Sequence, residues 1–73
     1  MKNKFKKGDL VRHTEAQYDP VNGDRGIVLN VGKMKMRLGV PRLFVNVRWH
    51  TGETETIYSD THGWETTEVI VSA

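Results

Sequence analysis

Hydrolytic chemistry is the first possibility that the residue types of this chain raise. Ser59, Asp60 and His62 supply the three kinds of side chain found in a hydrolytic triad. They share one predicted loop at 59–63, where side chains so close in sequence rarely adopt the geometry of nucleophile, base and orienting group, so turn formation explains them better. Glutamates could act as an acid and base pair, but 73 residues leave little room for a pocket that removes carboxylates from water. The sequence therefore predicts no enzyme activity.

Metal binding is the second possibility. The histidines His13, His50 and His62 lack the short spacing that places two imidazoles on one metal ion. The chain contains no cysteine, which removes thiolate zinc sites and disulfides and is typical of a reducing compartment. We therefore expect no cofactor, no small-molecule substrate and a cytoplasmic location. No apolar run approaches the roughly 18 residues of a membrane span, and no apolar block follows the basic start, so neither a membrane protein nor a signal peptide is predicted.

The charges are divided along the chain. All eleven lysines and arginines lie in residues 1–48, where four carboxylates leave a net charge of +7. Residues 49–73 carry five carboxylates and no lysine or arginine, a net charge of −5. This division indicates either a surface for a polyanion or an acidic partner, or a fold in which opposite charges pair between strands. The sequence leaves both interpretations open.

A basic hairpin at 33–42 is the most distinctive segment for binding. Cations and apolar groups alternate with the period of two that is typical of a strand, which places them on opposite faces. The cations are Lys33, Lys35 and Arg37, and the apolar groups are Met34, Met36 and Leu38. If the hairpin projects, the apolar groups form an exposed patch that indicates a protein contact, and if it folds back they belong to the core. The cations suit either a solvated strand face or a phosphate-binding surface.

Turn-forming clusters separate the elements that must position these groups. We expect strands at 10–13, 26–31, 43–50 and 53–58, with Gly32 interrupting the pattern after the second strand. A single helical turn and a closing strand follow within 64–71. In the strand at 43–50, alternation predicts one core face and one outward face. The core face would hold Leu43, Val45, Val47 and Trp49, and the outward face Phe44, Asn46, Arg48 and His50.

Five short strands in so small a chain predict an all-β fold. We expect a five-stranded SH3-like barrel that is partly open, with an extended basic hairpin and a short helical turn before the last strand. Residues 1–7 would form a basic N-terminal arm whose Phe5 can contact the barrel, and residues 8–73 a single barrel domain. A chain of this size buries only about 60% of its unfolded surface, so docking or self-association is expected to add stability.

Two segments rich in glycine and valine carry a family resemblance. The chain has a G-D-x-V pattern followed by G-x-x-G-x-V-x-x-V, in which a glycine such as Gly26 permits positive φ or a close approach of the chain. The matching residues are Gly8, Asp9, Val11, Gly23, Gly26, Val28 and Val31. This arrangement, over residues 6–31, resembles the KOW segment of small SH3-like barrels, although the loop at 14–22 is longer than the usual one. The resemblance implies the fold and no single function.

The chain also resembles the short SH3-like proteins of unknown function that are common in phage genomes. This second resemblance implies a viral protein, placed in the host cytoplasm or the virion. The predicted function is a non-enzymatic protein-interaction module that docks on a larger assembly or self-associates. Its partner-binding residues would be Lys33, Met34, Lys35, Met36, Arg37, Leu38, Arg42 and Phe44.

The alternative is a KOW-type protein that binds RNA or DNA. In this reading the first loop and the basic hairpin contact phosphates, and an aromatic side chain, Tyr18 or Phe44, stacks on a base. The nucleic-acid-binding residues would be Lys6, Lys7, Arg12, Tyr18, Arg25, Lys33, Lys35 and Arg37. Salt separates the two functions, because binding to phosphates weakens steeply as salt rises.

Overall fold

One antiparallel sheet organises the chain. The structure, a computed structural model, describes residues 3–14, 25–35 and 41–73. The elements are β1 (Leu10–His13), β2 (Arg25–Lys35), β3 (Pro41–Trp49), β4 (Thr54–Tyr58), the single-turn helix α1 (His62–Glu65) and β5 (Thr67–Val71). Their order across the sheet is β4-β3-β2-β1-β5. Among the described residues no pairing joins β4 to β5, so the predicted partly open barrel of five strands is confirmed.

The core lies on one face of this bent sheet, which we call the inner face. Branched aliphatic side chains fill it because successive strand residues point to opposite faces. The buried cluster consists of Phe5, Val11, Val28, Val45, Val47 and Ile57, with Val31, Trp49, Trp64 and Val69 packed against it. On β3 the predicted core face is confirmed, since Leu43, Val45 and Val47 are buried and Trp49 is half-buried.

The segment that precedes β1 is joined to the core. The Phe5 side chain is only 1% exposed, and its ring meets the edge of Trp64 at a centroid distance of 4.9 Å, so the expected contact of Phe5 with the barrel is present. Buried Asp9 accepts hydrogen bonds from the backbone amides of Lys6 and Ala73, each at 2.8 Å. These bonds join the first turn of the described chain to the residues after β5.

Two glycines of the KOW-like sequence pattern have different structural roles. Gly8 has a φ of +92°, a conformation that glycine adopts at little cost. The φ of Gly26 is not positive, and its role is close approach. A Cβ at Gly26 would lie 2.6 Å from Cγ1 of Val47 and 2.9 Å from the carbonyl oxygen of Arg48. The pattern therefore reflects the packing of the fold.

β2 is longer than the sequence predicts. The expected interruption at Gly32 is wrong, because β2 continues through Gly32 and pairs with β3 as far as Lys35 opposite Pro41. Gly32 is accommodated by the ring of Phe44 on the neighbouring strand, whose Cζ would lie 2.5 Å from a Cβ at this position. The irregularity in β2 lies earlier, between Val28 and Asn30, where the register with β3 shifts. The helical turn also begins earlier than predicted, at His62 within the expected loop.

Candidate functional site

The outer face of β2 carries large apolar side chains in contact with solvent. Ile27 is 52% exposed, Leu29 42% and Met34 41%, whereas Val28 on the inner face is 1% exposed. A strand that is apolar on both faces is typical of sheets covered on both sides. β2 is a central strand of this sheet, yet within the described chain its outer apolar groups remain exposed.

A register shift in β2 gives the outer face one extra residue. Val28 lies opposite Val47 and Val31 opposite Val45, and these pairs belong to the inner face. Asn30 lies opposite Asn46, which leaves Leu29 as the extra residue of a β-bulge. Leu29 and Asn30 are both exposed, so the bulge gives the outer face two successive residues, one of them a leucine.

An open groove of ≈ 500 Å³ lies on the outer face at the end of the sheet where β2 begins. Its lining comes from β1, β2, β3 and the turn after β3. The described residues that line it are Leu10, Arg25, Gly26, Ile27, Leu29, Arg48, Trp49, His50 and Gly52. Leu10, Ile27 and Arg48 form one row across three strands, because Ile27 is the register partner of both others. We call this feature the outer groove.

Positive charge borders the apolar floor of the outer groove. Arg48 is the register partner of Ile27, and Arg25 lies two residues before Ile27 on the same face. Both arginines are exposed, and neither takes part in the ion pairs found among the described residues. The backbone amide of His50 donates to the carbonyl oxygen of Arg25 at 2.9 Å, which holds the turn after β3 against the start of β2. No described carboxylate lines this groove.

Several residues of the predicted hairpin surface lie together at the far end of the outer face. Met34 is the register partner of Arg42, and Phe44 covers Gly32 on the same face. The guanidinium of Arg42 stacks over the ring of Tyr58 at 3.9 Å and pairs with Asp60 at 2.8 Å. Arg42 and Phe44 are thus engaged within the fold, whereas Met34 presents a large exposed area.

The alternation predicted for the hairpin holds where the structure describes it. Lys33 is paired with Leu43 and Met34 with Arg42, which places them on opposite faces, the lysine on the side of the core and the methionine outward. Lys35 ends β2 opposite Pro41. Among the described strands, neither β1 nor β4 pairs with residues 33–35 or 41–43, so the hairpin extends beyond its neighbours. Met36, Arg37 and Leu38 lie outside the described residues.

The residues predicted to bind nucleic acid do not all share one surface. Lys7 is exposed in the turn before β1, and the Lys6 ammonium donates to the carbonyl oxygen of Ala73 at 3.1 Å. Arg12 lies opposite Arg25, but its guanidinium pairs with Glu68 at 2.8 Å. Tyr18 lies outside the described residues. Arg25 is therefore the predicted cation that the structure places in the outer groove.

The two ion pairs explain part of the charge division. Arg12 pairs with Glu68 and Arg42 with Asp60, and each pair joins the basic first part of the chain to the acidic last part. Opposite charges thus meet between strands at Arg12 and Glu68, and between β3 and the turn after β4 at Arg42 and Asp60. Exposed pairs of this kind stabilise a protein by about 0–1 kcal/mol each. They leave Arg25 and Arg48 available at the outer groove.

Two of the residues that suggested hydrolytic chemistry, Ser59 and Asp60, make structural contacts. The Ser59 hydroxyl accepts a hydrogen bond from the backbone amide of Leu43 at 3.0 Å, and Asp60 pairs with Arg42. These contacts fasten the turn after β4 to β3, as turn residues do. Within the described chain, no group of three histidine or carboxylate side chains is arranged to hold a metal ion.

A lysine at the edge of the core has a perturbed acidity. The ammonium of Lys4 lies 5.0 Å from the ring centroid of Phe5 and 5.6 Å from that of Trp64, and donates to the Trp64 carbonyl oxygen. Burial beside these rings lowers the pKa of Lys4 from its ordinary value of 10.5, and the negative charges of Glu65 and Glu68 oppose this shift. The contact serves packing, because Lys4 lies apart from the residues of the outer groove.

Comparison with protein-family models, with curated proteins and with solved structures finds no match for this chain. Among the described residues, no helix is long and apolar enough to cross a membrane. Of the resemblances noted in the sequence, the structure supports the fold, a small, partly open β-barrel. The outer face of that fold is the surface considered for function.

Most residues of the outer groove were not predicted from the sequence to bind a partner. Arg48 and His50 were placed on an outward face and Arg25 was predicted as a binding cation, but Leu10, Ile27 and Leu29 were not predicted as binding residues. A signal was present in the consecutive run Ile27-Val28-Leu29. Three successive branched aliphatic residues place an apolar group on each face of a strand, which indicates that both faces are meant to be covered.

Proposed function

We propose that this protein is a non-enzymatic protein-interaction module that docks on a larger assembly or self-associates. The observation that carries the proposal is the central strand β2, whose Ile27 and Leu29 are exposed on the outer face while Val28 is buried on the inner face. Burying a fully exposed aliphatic side chain gains about 1.5–3 kcal/mol, and each of these two, roughly half exposed, gains about half of that, so a partner that covers this face is favoured. Contiguous exposed apolar groups commonly mark such contacts.

The aliphatic character of the outer groove supports a protein partner over a nucleic acid. Single-stranded bases bind by stacking on aromatic rings. The ring of Phe44 covers Gly32, the ring of Tyr58 lies under Arg42, and the indole nitrogen of Trp49 donates to Glu55 at 2.9 Å. Trp49 and His50 also line the groove, and Leu10, Ile27 and Leu29 give it three aliphatic side chains, which suit apolar side chains of a protein.

The basic hairpin is part of the proposed docking surface. Met34 continues the exposed apolar side chains of β2 toward the hairpin, and Lys33 adds an exposed cation on the opposite face of the strand. The contact residues predicted from the sequence form a secondary region of the proposed docking surface, and the outer groove forms its main region. Cations of this kind guide a partner and set its orientation more than they add affinity.

The second candidate function is KOW-type binding of RNA or DNA. It is favoured by one observation, that Arg25, Arg48 and Lys33 are exposed and join no ion pair among the described residues. These cations could bind phosphates. The KOW assignment rests on the sequence pattern.

The setting that we propose is a phage protein acting in the host cytoplasm or the virion, which rests on the sequence resemblance to short phage proteins. In such a setting the larger assembly would be a virion part or a host complex. Partners of these two kinds are therefore the first to try in binding measurements.

Light scattering tests the proposal. Molar mass is measured over protein concentration at low and high salt, with and without mixed short RNA and duplex DNA, for the wild type and for Ile27→Thr/Leu29→Thr. Lys7→Gln is the control, because Lys7 is exposed in the turn before β1 and does not line the groove. Self-association that tolerates salt and is lost in the double variant supports the proposal.

Docking on another protein is tested by purifying a candidate partner and titrating it with the same variants. Binding that persists at high salt, is lost with Ile27→Thr/Leu29→Thr and is kept with Lys7→Gln supports the proposal. A complex with RNA or DNA that disappears at high salt and is unchanged in the double variant would contradict it and favour the second function.

A further inference from the structure

Resting on the proposed function, we infer that the outer groove binds an acidic, apolar segment of a partner protein. Such a segment combines large apolar side chains, which enter the groove floor, with carboxylates, which meet the arginines at its border. The inference names the chemistry of the partner, whereas the proposed function requires only that some protein covers this face.

The dimensions of the outer groove suit a short segment. Its volume of ≈ 500 Å³ lies within the range of about 300–1,000 Å³ of pockets that take small ligands. A few side chains fill such a space. The floor is built on paired strands, since Leu10 and Ile27 are register partners, and a floor of this kind keeps its shape better than a loop does.

The two arginines are placed where carboxylates beside the apolar groups would reach them. Arg48 lies directly opposite Ile27, and Arg25 lies two residues before Ile27 on the same face of β2. Two residues of a strand span about 7 Å, which is also the spacing of side chains on one face of an extended peptide. A segment with carboxylates one or two positions from its apolar residues can therefore contact both arginines while its apolar side chains cover Ile27.

The local charge is not compensated within the described chain. Arg12 is the nearest cation in register, and Glu68 already neutralises it. The described lining of the groove contains two arginines and no carboxylate. Guanidinium groups bind carboxylates through two parallel hydrogen bonds, which adds direction to the attraction.

The aliphatic floor distinguishes this partner from a nucleic acid. A phosphate backbone would use Arg25 and Arg48 but would leave Ile27 and Leu29 exposed, whereas an acidic, apolar peptide uses both features. A second copy of this chain is a weaker occupant, because four of its described acidic side chains are engaged. Glu68 pairs with Arg12, Asp60 with Arg42, Glu55 with the Trp49 indole and Asp9 with backbone amides. Both occupants are outcomes of the test.

The experiment selects ligands from a library of random short peptides displayed on yeast, with the wild-type chain as bait. The most enriched peptides are synthesised, labelled and titrated by fluorescence anisotropy. The variants are Ile27→Thr, Arg25→Gln and Arg48→Gln. Lys7→Gln is the matched control, because Lys7 is an exposed cation in the turn before β1 that does not line the groove.

We expect the enriched peptides to combine aspartate or glutamate with leucine, isoleucine, valine or phenylalanine. Each arginine substitution should weaken binding about fivefold at low salt and less at high salt, because exposed charges are screened. Ile27→Thr should weaken binding about tenfold at either salt, because it removes apolar burial. Lys7→Gln should leave the dissociation constant unchanged, and urea unfolding should show that all four variants are folded.

Other outcomes would overturn the inference and can be told apart from failure of the proposed function. Apolar peptides without carboxylates that respond to Ile27→Thr but not to the arginine substitutions would leave the proposed function intact and remove the acidic partner. Self-association lost in both arginine variants would assign the groove to a second copy. An absence of enriched peptides would also overturn the inference, and salt-sensitive RNA binding would then remove the proposed function as well.

Discussion

The two faces of β2 carry the same kinds of side chain in opposite environments. Val28 on the inner face is 1% exposed, and Ile27, its neighbour in sequence, is 52% exposed on the outer face. Val28 packs in the core with Val47, whereas Ile27 borders an open groove beside Arg48. Branched aliphatic residues thus stabilise the fold on one face and remain available for a partner on the other.

This difference shows that residue type alone does not separate core from binding surface. Both faces of β2 satisfy the preference of branched side chains for strands. What separates them is whether another part of the chain covers them, and Phe5 is the part that covers the inner face. Substitutions on the two faces should therefore have opposite effects on stability and on binding.

Loss of the aromatic group that covers the inner face should have the largest effect. Phe5→Ala removes a side chain that is buried in the core and in edge contact with Trp64. We expect the free energy of unfolding to fall by about 3–5 kcal/mol, measured by urea titration. Phe5→Leu, which keeps most of the volume, serves as the control if the alanine variant does not fold, with a loss of about 1–2 kcal/mol. A loss near zero in either variant would show that Phe5 does not complete the core.

One polar atom placed on each face of β2 tests the comparison directly. Val28→Thr buries a hydroxyl in the core and should lower the free energy of unfolding by about 2–3 kcal/mol. Ile27→Thr places the same group in solvent and should change it by less than about 0.5 kcal/mol. Urea titrations of both variants give the difference. Equal losses would mean that the outer face is also part of the core.

Two glycines of β2 provide a third test, again one for each face. A Cβ at Gly26 would lie 2.6 Å from Val47 and 2.9 Å from the Arg48 carbonyl oxygen, and neither neighbour can easily move. Gly26→Ala should lower the free energy of unfolding by about 1–2 kcal/mol.

Gly32→Ala is the matched substitution on the outer face. Its Cβ would meet the far end of the Phe44 ring, which can turn toward solvent, so we expect a loss below about 1 kcal/mol. Thermal unfolding of the two variants side by side measures the order. A larger loss for Gly32→Ala would show that Phe44 is held as rigidly as the core.

The edge of the core should give the smallest effect, and it depends on pH. Burial lowers the pKa of Lys4 below its ordinary value of 10.5, so in alkaline solution the folded chain loses this proton before the unfolded chain does. The unfolded state then binds more protons, and the contribution of Lys4 to stability rises with pH up to about 10.5.

Lys4→Gln should therefore lack this rise. The stability of the wild type relative to the variant, measured by urea titration at a series of alkaline pH values, should increase with pH and be constant near neutrality. A relative stability that decreases over the same range would mean that the ammonium form of Lys4 is favoured by the fold.

Much of the fold could be predicted from the sequence because alternation is a local property. The inward set of β3, the position of β1 and the helical turn before β5 all follow from side chains a few residues apart. The predicted end of β2 was wrong because a glycine weakens a strand only where no side chain covers it. Phe44 from β3 covers Gly32. Contacts between strands override local preference in such places.

The candidate site was predicted less well. Arg25 was named, but the hydrophobic floor was not, because alternation places Ile27 and Leu29 outward without showing whether another element covers them. The bulge between Val28 and Asn30 then turns Asn30 outward and Val31 inward. A bulge changes the phase of the alternation, and its position depends on pairing with β3 rather than on β2 itself. The pairing of Arg12 with Glu68 was equally out of reach as a particular contact, although the charge division made such pairs expected.

The sequence by itself determined the class of fold, the elements and the inner face. These depend on periodicity and on turn-forming residues, which act over a few positions. Among the described residues, the tertiary structure alone decided which apolar side chains stay exposed and which cations join an ion pair, and so where the outer groove lies. Exposure and pairing depend on residues distant in sequence, such as Leu10 with Ile27 and Arg42 with Asp60, which only the folded chain brings together.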